Sequence, residues 1–414
     1  MAKVMRRIIY SEIEGHGAGF AGLATILGAL FFAGLSAVMY IEHAGHYVTG
    51  SSNQVVWGIV DVFAMFLIVS ASGALNVAII SSVFRNALYK PLERLSCLLA
   101  VALLSGGLMI VALDLGRPDR IIVAIFNRNF TSVFAWNIYL YTGFIAIVVT
   151  YLWLQMERRM NRFVPAAGTV AFLWRIALTT GSGSIYGVLV AREAYDSAIM
   201  APLFIAMSFS YGHAVYNIVL LAACRGSGRE IGDVLLQRLG RLLGIFVAVV
   251  LYGTAVQHLT NLYAAEHGEF ERFILRGGGI YTLLFWGGQV FVGGLLPLTL
   301  LFAPSRQGMS PTGRTVALAS TMVIIGAFCQ IYVLVIGGQV WPLTLFPGME
   351  VSSSFYDGVV ASYTPRLPEI ALGVGGVALA GLIVLFGIKV LRFLPTTLSN
   401  STIDPHSVTA ADRL

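Results

Sequence analysis

The sequence predicts an all-α integral membrane protein with ten membrane-spanning helices. The chain has a mean hydropathy of +0.82, and 57% of its 414 residues are hydrophobic whereas only 11% are charged. A composition this apolar exceeds what the core of a soluble protein requires. The spans must be helical, because the hydrocarbon of a bilayer cannot satisfy the backbone groups of an open strand edge.

Ten apolar stretches are long enough to cross roughly 30 Å of hydrocarbon, which takes about 20 helical residues. In order, they cover residues 18–41, 55–80, 95–115, 133–154, 166–190, 198–223, 241–260, 278–302, 315–337 and 369–393. The N-terminal segment 1–17 shows no short apolar region followed by a small-residue cleavage site. We therefore expect an uncleaved first helix.

The basic residues predict the orientation, since cytoplasmic loops retain Lys and Arg. With the N-terminus inside, 18 of the 26 basic residues lie on the cytoplasmic side, 7 lie outside and Arg175 lies within a span. We therefore expect both termini in the cytoplasm. The net charge of +6 follows from this topology, so the expected surroundings are a lipid bilayer and no nucleic-acid partner is needed to explain the charge.

Two pairs of similar segments indicate an internal repeat. FLIVSASGALNVAII in the second span resembles FIAMSFSYGHAVYNIVL in the sixth, and SVFAWNIYLYTG in the fourth resembles YTLLFWGGQVFVGG in the eighth. The members of each pair are four spans apart and so run the same way through the membrane. This predicts two parallel four-helix bundles, spans 2–5 and spans 6–9, although small residues recur in any packed membrane helix.

The predicted organisation follows from these bundles. It consists of a cytoplasmic segment (1–17), the first helix with an outer loop (18–54), the first bundle (55–190), the second bundle (191–337), an outer loop (338–368), the tenth helix (369–393) and a cytoplasmic tail (394–414). The aromatic residues of the 338–368 loop favour a docking surface over disorder. The polar tail is expected to be disordered.

Polar side chains collect near the outer ends of the first-bundle spans. Charges within a membrane are costly, so each is a functional candidate. The second span enters from outside, which puts Asp61 about six residues, or roughly 9 Å, deep. The candidates of this layer are Trp57, Asp61, Asp114, Arg117, Ser184, Tyr186, Arg192 and Asp196.

The stretch VALDLGRPDRI raises the question why an apolar helix should end in alternating charges. The carboxylates Asp114 and Asp119 are the nearest counter-ions for Arg117 and Arg120, which gives either a functional site or a salt-bridge cluster that only fixes the loop. Asp61 is a lone membrane carboxylate, which we expect either to pair with a cation such as Arg175 or to be protonated.

The His and Cys residues argue against a resident metal. His213 and His258 are predicted to lie in spans at depths that differ by roughly 10 Å, too far for one haem. We expect His213 to be hydrogen-bonded within its bundle, with a role in a proton path as the alternative. The cysteines stand alone on separate spans without a CxxC motif, so we expect neither a haem nor an iron–sulfur cluster in this chain.

Several motifs together resemble the NrfD/polysulfide reductase membrane-subunit family. They are DLGRPDRI followed by FNRNFTSVFAWNIYL, then WGIVDVFAMFLIVSASGA and AREAYDSAIMAPLFIAMS. The ten spans match the longer branch of that family, and YSEIEGHGAGFAGL with GVLVAREAYDSAIMAPLFIAMSFSYG is most similar to the DsrP-type subunit of the DsrMKJOP complex of sulfur metabolism. Some members carry a His or Tyr at the equivalent of residues 179–186, where this chain reads TTGSGSIY.

The resemblance implies a subunit that binds a quinone, menaquinone or ubiquinone, without any other cofactor. It implies a bacterial or archaeal cytoplasmic membrane, and electron exchange with an extracytoplasmic ferredoxin-like iron–sulfur subunit. Further membrane, cytochrome and cytoplasmic subunits are implied as partners. Proton transfer coupled to the redox reaction is also expected.

Quinone redox chemistry is therefore the leading hypothesis for function. Asp61, Tyr186 and Ser184 would bond the head group, and Asp61, Arg175 and His213 would form a proton path. Arg192 and Arg117 would stabilise negative charge on a reduced quinone or pair with Asp196 and Asp114. A secondary transporter with a helix broken at TTGSGS, or a structural membrane anchor, is the alternative.

Overall fold

The computed structural model describes residues 9–12, 17–127, 129–306, 311–343 and 359–400. Within these ranges, ten helices are long and apolar enough to cross a membrane, which confirms the predicted fold class. Numbered α1 to α10 in chain order, they are Ala18–Ala44, Ile59–Ser82, Ala87–Asp114, Val133–Met156, Arg158–Gly187, Met200–Gly226, Asp233–Tyr263, Ile280–Ala303, Gly313–Val340 and Leu367–Val390. Residues 344–358 of the expected docking loop and 401–414 of the tail lie outside the described residues.

Several of the helices have irregular backbone. α2 consists of Ile59–Ala74 and Asn76–Ser82, separated at Leu75. In α3 and α5 the first turns are 3-10 helix, at Ala87–Leu92 and Arg158–Phe163. α8 is π-helical over Leu284–Leu295 and α9 over Val333–Gly337. Short helices at Ile121–Phe126 and Gly268–Arg272 lie in the connections that follow α3 and α7.

The start of α2 corrects the predicted boundary at residue 55. The backbone N–H groups of Val56 and Trp57 both donate at 2.9 Å to the side-chain oxygen of Gln339 in α9. Those two donors are held in an extended segment, so the helix begins only at Ile59. Asp61 therefore lies in the first turn of the helix, not six residues into it.

The α2 and α6 helices cross at the centre of the molecule. α2 packs against α3, α6 and α10, and α6 packs against α5, α7 and α9. At the crossing, Gly73 meets the backbone at Ser208 and Gly212 meets the backbone at Ser70, with no room for a Cβ atom on either glycine. The two similar segments of the second and sixth spans are thus in direct contact. The parallel two-bundle arrangement itself stays a prediction.

Both ends of the described chain meet at one face, which we call the terminal face. Strand β1 (Tyr10–Ser11) pairs antiparallel with β2 (Leu394–Pro395). Arg229, between α6 and α7, donates hydrogen bonds to the carbonyl oxygens of Leu394 and Pro395 and to Ser11. The opposite face is called the acidic face, because Asp61, Asp114 and Glu369 lie there, where α2 and α10 begin and α3 ends.

Candidate functional site at the acidic face

Asp61 accepts backbone hydrogen bonds from Gly58 and from its own N–H. Its Oδ2 atom accepts the N–H of Gly58 at 3.0 Å, which caps the start of α2. A carboxylate in the first turn of a helix is favoured by the unpaired N–H groups and the positive end of the helix dipole. The Oδ1 atom accepts no hydrogen bond from any other described residue, and the side chain is half-buried. Among the described residues, only the backbone at the start of α2 bonds this carboxylate.

Asp114, the last residue of α3, is a second half-buried carboxylate, and no hydrogen bond to it is made by the described part of the chain. It interacts electrostatically with Asp61, with His46 of the α1–α2 connection and with Glu369. The expected counter-ions do not reach it. Arg117 and Arg120 are exposed and form no ion pair within the described residues, because hydrated charges gain little from pairing.

Glu369, in the first turn of α10, interacts electrostatically with Asp61 and Asp114 and was not among the predicted site residues. We call these three residues the carboxylate cluster. Its Oε2 atom accepts the N–H groups of Gly50 at 2.9 Å and Arg366 at 2.7 Å. Its Oε1 atom accepts the hydroxyl of Tyr363 at 3.0 Å. The only sequence signal was a Glu directly after Leu-Pro at a predicted helix start, a capping pattern that does not reveal its neighbours.

Tyr363 joins the starts of α2 and α10. Its hydroxyl oxygen accepts the N–H of Ile59 at 2.7 Å while the hydroxyl donates to Glu369. Burial, together with the nearby Glu369 carboxylate, raises the pKa of Tyr363 well above its usual value, although the bond from Ile59 opposes this. The hydroxyl therefore stays protonated at neutral pH and can donate continuously.

Aromatic rings form one wall of the cluster. The Trp57 ring lies 5.7 Å from that of Tyr186 and 6.2 Å from that of Phe134. Tyr186 in turn lies 5.2 Å from Tyr195, and both tyrosines interact electrostatically with Asp61. Burial raises the pKa of Tyr195, whose neutral hydroxyl donates to the Val335 carbonyl at 2.9 Å. Trp57, Asp61, Asp114 and Tyr186 are thus brought together as predicted site neighbours.

Gln339 positions Trp57 and was also missed. Besides accepting the two N–H groups before α2, its amide donates to the carbonyl oxygens of Trp57 and Val335 at 2.9 and 2.8 Å. Three of the four bonds join residues that are 282 or 283 positions apart, and the fourth spans one turn of α9. No local pattern could have indicated them.

Three other predicted residues have structural partners. The Ser184 hydroxyl donates to Thr180 of its own helix at 2.7 Å. Arg192 donates to the carbonyl oxygens of Gln339 and Gln54 at 3.0 and 2.8 Å and does not pair with Asp196, so that predicted ion pair is wrong. Asp196 adopts a left-handed φ of 41° and its N–H donates to the Tyr186 carbonyl at 3.2 Å.

Arg175 lies far from Asp61, and the predicted pairing is wrong. The guanidinium is fully buried, donates to Asn76 at 2.6 Å and stands 4.4 Å above the Phe209 ring. Asn76 is 15 positions beyond Asp61 on α2, or about 22 Å at 1.5 Å per residue. His213 is bonded through Nε2 to the Leu239 carbonyl at 3.1 Å.

Two further expectations can be compared with the structure. The TTGSGS stretch continues as regular helix within Val164–Gly187, so the broken helix expected for a transporter does not form there. Across the described ranges, no group of three or more His, Cys, Asp or Glu side chains is placed to hold a metal ion.

Comparison with known proteins adds a family. The sequence model of the family described as polysulphide reductase, NrfD, matches residues 47–342. The chain is 29% identical to an Hdr-like menaquinol oxidoreductase integral membrane subunit of Archaeoglobus fulgidus, over 93% of this chain and 96% of that protein. It is 30% identical to a putative dimethyl sulfoxide reductase membrane subunit of Halobacterium salinarum, over 94% of each. It is 22% identical to a menaquinone reductase integral membrane subunit of Nitratidesulfovibrio vulgaris, over 88% and 90%.

Proposed function

Because the chain belongs to the polysulphide reductase NrfD family, as its motifs predicted, we propose that it is the quinone-interacting membrane subunit of a redox complex. The names of two relatives, a menaquinol oxidoreductase subunit and a menaquinone reductase subunit, support this function and favour menaquinone. The observation that carries the proposal is that the Asp61 and Asp114 carboxylates lie beside the aromatic rings of Trp57 and Tyr186.

The residues at the acidic face fit a quinone. A quinone needs polar groups for two ring oxygens, a flat apolar surface for the ring and a lipid-facing opening for its tail. Asp61 and Asp114 supply the polar groups and Trp57 supplies the surface. The opening is supplied by apolar side chains exposed beside them, Val111, Leu115 and Phe134 at 38%, 42% and 50%.

The two free carboxylates would handle protons. A bound quinone supplies two-electron, two-proton chemistry, so a titratable group beside the ring has a defined task. Asp61 would take up or release a proton at Oδ1 while Oδ2 keeps the cap on α2. Asp114 would exchange protons with His46 and so with water at the acidic face. Glu369, whose oxygens are already bonded, would hold α2 and α10 in position.

The partner would dock on the acidic face. Electrons must reach the site from a nearby redox centre, and the aromatic side chains of Tyr47 and Phe130 are 82% and 62% exposed there. Exposed aromatic residues are typical of protein interfaces. We propose an iron–sulfur subunit as the partner. The distribution of basic residues in the sequence supports an extracytoplasmic acidic face.

Purification of the native complex in mild detergent tests this function. We expect co-purifying iron–sulfur subunits and an extractable quinone. A photoactivatable menaquinone analogue should label peptides from the start of α2 and the end of α3, and excess menaquinol should prevent the labelling. A chain that purifies alone, or labelling that menaquinol does not displace, would contradict the proposal.

A further inference from the structure

Buried polar side chains also meet in the second half of the molecule, away from the acidic face. Thr254, Gln289 and Gln330 come from α7, α8 and α9, and both amides donate to the Thr254 hydroxyl, at 3.5 Å from Gln289 and 3.3 Å from Gln330. The hydroxyl of Tyr211 in α6 donates to the side-chain oxygen of Gln330. All are at most 8% exposed. We call these side chains the amide chain.

Two small cavities adjoin the amide chain. The larger, of about 30 Å³, lies beside Gln257, His258, Gln289 and Gln330. The smaller, of about 20 Å³, lies beside Ser210, Tyr211, Thr254, Gln289 and Gln330. A cavity of roughly 10 to 15 Å³ holds one water molecule when polar groups surround it. These volumes therefore suffice for about two waters and one water, and Gln289 and Gln330 line both cavities.

Irregular backbone borders both cavities. Gln289, which lines both, lies within the π-helical segment of α8, and Val333 of the α9 π-helix lines the larger cavity. π-helical turns are rare and occur often at functional sites. Of the two amides that line both cavities, Gln289 lies in such a turn, and Gln330 lies one turn of regular helix before the π-helical segment of α9.

A titratable pair closes the end of the amide chain nearest the acidic face. Glu271 is fully buried, and its Oε2 atom lies 2.6 Å from Nδ1 of His258. Its Oε1 atom accepts the side-chain N–H of Asn261 at 2.9 Å. Because His258 also lines the larger cavity, protons of this pair are within reach of water held there.

Towards the terminal face, unpaired acceptors continue the line. Ser210 lines the smaller cavity, and His213 and Asn217 follow it at spacings of three and four on the same face of α6. Nδ1 of His213 and Oδ1 of Asn217 are buried without a hydrogen-bond partner among the described residues. Buried acceptors of this kind are satisfied by internal water.

We propose that the second half of the protein holds a chain of water molecules that conducts protons between the Glu271–His258 pair and the inner part of α6 at Asn217. A proton joins the pair from the acidic face as one O–H or N–H bond forms, and that bond breaks when the proton passes to the first cavity water. Each water then accepts one proton and donates another, so no electrons move. The proposal does not depend on where quinone binds.

Hydration can be measured on the full-length protein in lipid nanodiscs. Hydroxyl radicals generated by X-rays from bound water should modify Met207 and Tyr211, which line the cavities but are buried from solvent. Phe144, fully buried in the apolar core of the first half, is the internal control and should stay unmodified. Protection of Met207 and Tyr211 equal to that of Phe144 would overturn the proposal.

Conduction can be measured in vesicles that hold the full-length protein and a trapped pH dye, with a potassium diffusion potential as the driving force. Proton flux should exceed that of protein-free vesicles, and Gln330→Leu and Thr254→Val should each lower it at least about tenfold. Gln155→Leu, a buried amide on α4, should leave it unchanged. If Met207 and Tyr211 are modified but no proton flux is measured, or if both variants retain the flux, the water has only a structural role. Either result would overturn the proton path.

Discussion

The carboxylate cluster and the amide chain handle polar groups in opposite ways. At the acidic face, Asp61 and Glu369 sit in the first turns of helices, where backbone N–H groups are unpaired and solvent is near. In the second half, the polar groups are neutral amides and hydroxyls in the middle of helices, bonded to one another. Between these two sites, the carboxylates lie at helix ends, where the backbone stabilises them, and the groups within the spans are neutral.

The largest expected effect concerns the contact that joins the two regions. Gly73→Val or Gly212→Val would place a side chain against backbone where α2 crosses α6, and overpacking there should cost about 3 kcal/mol or more. We expect little monodisperse protein by fluorescence-detected size-exclusion chromatography. Gly19→Val, at an open position on α1, should behave as wild type. Normal yield of Gly73→Val would show that the two regions do not depend on each other.

Removing the charge from the carboxylate cluster should stop catalysis without unfolding the protein. In Asp61→Asn the amide oxygen can still accept the Gly58 N–H, but the side chain no longer titrates. Quinol-linked electron transfer by the complex should fall at least about tenfold, since general acid–base groups typically contribute about 100-fold or more. Asp119→Asn, exposed at the same face, is the control. Full turnover of Asp61→Asn with unchanged pH dependence would make Asp61 purely structural.

A smaller effect is expected at the residue that links the cluster to α9. Gln339→Ala removes four hydrogen bonds that hold the segment before α2, and water can replace part of them, so a loss of about 2 kcal/mol is expected. Thermal unfolding in detergent would measure the loss of stability. A raised KM for quinol would show that Trp57 is no longer held in position. The exposed Gln237→Ala serves for comparison. An unchanged KM would show that Trp57 does not contribute to quinol binding.

The smallest effect is expected at Ser184. Its hydroxyl bonds its own helix, so Ser184→Ala should change stability by less than about 0.5 kcal/mol and turnover by less than about twofold. Ser182→Ala, which loses the contact to Tyr141, provides the matched change on the same helix. A tenfold loss of turnover in Ser184→Ala, but not in Ser182→Ala, would show that the Ser184 hydroxyl contacts the quinone.

The sequence was sufficient for the spans and for selecting Asp61 and Asp114 as candidates, because both depend on local signals. Hydropathy reports lipid exposure directly, and a carboxylate near a span end is visible without a fold. Glu369, Gln339 and Tyr363 could not be found in this way, since their roles come from contacts between segments about 280 to 320 positions apart. The predicted pairing of Arg175 with Asp61 was wrong because the sequence shows the charge but not the neighbours. In the structure, the buried guanidinium contacts the Asn76 amide and the Phe209 ring.

The joining of both chain ends at Arg229 sets an order for biosynthesis. α1 leaves the ribosome first, yet its buried residues face α10, which leaves last. Until α10 inserts, α1 has only lipid to pack against, and Arg229 lacks the carbonyl oxygens of Leu394 and Pro395. A nascent chain that stalls before β2 therefore stays open along one side and at the terminal face. The molecule therefore closes only after α10 and β2 have been translated.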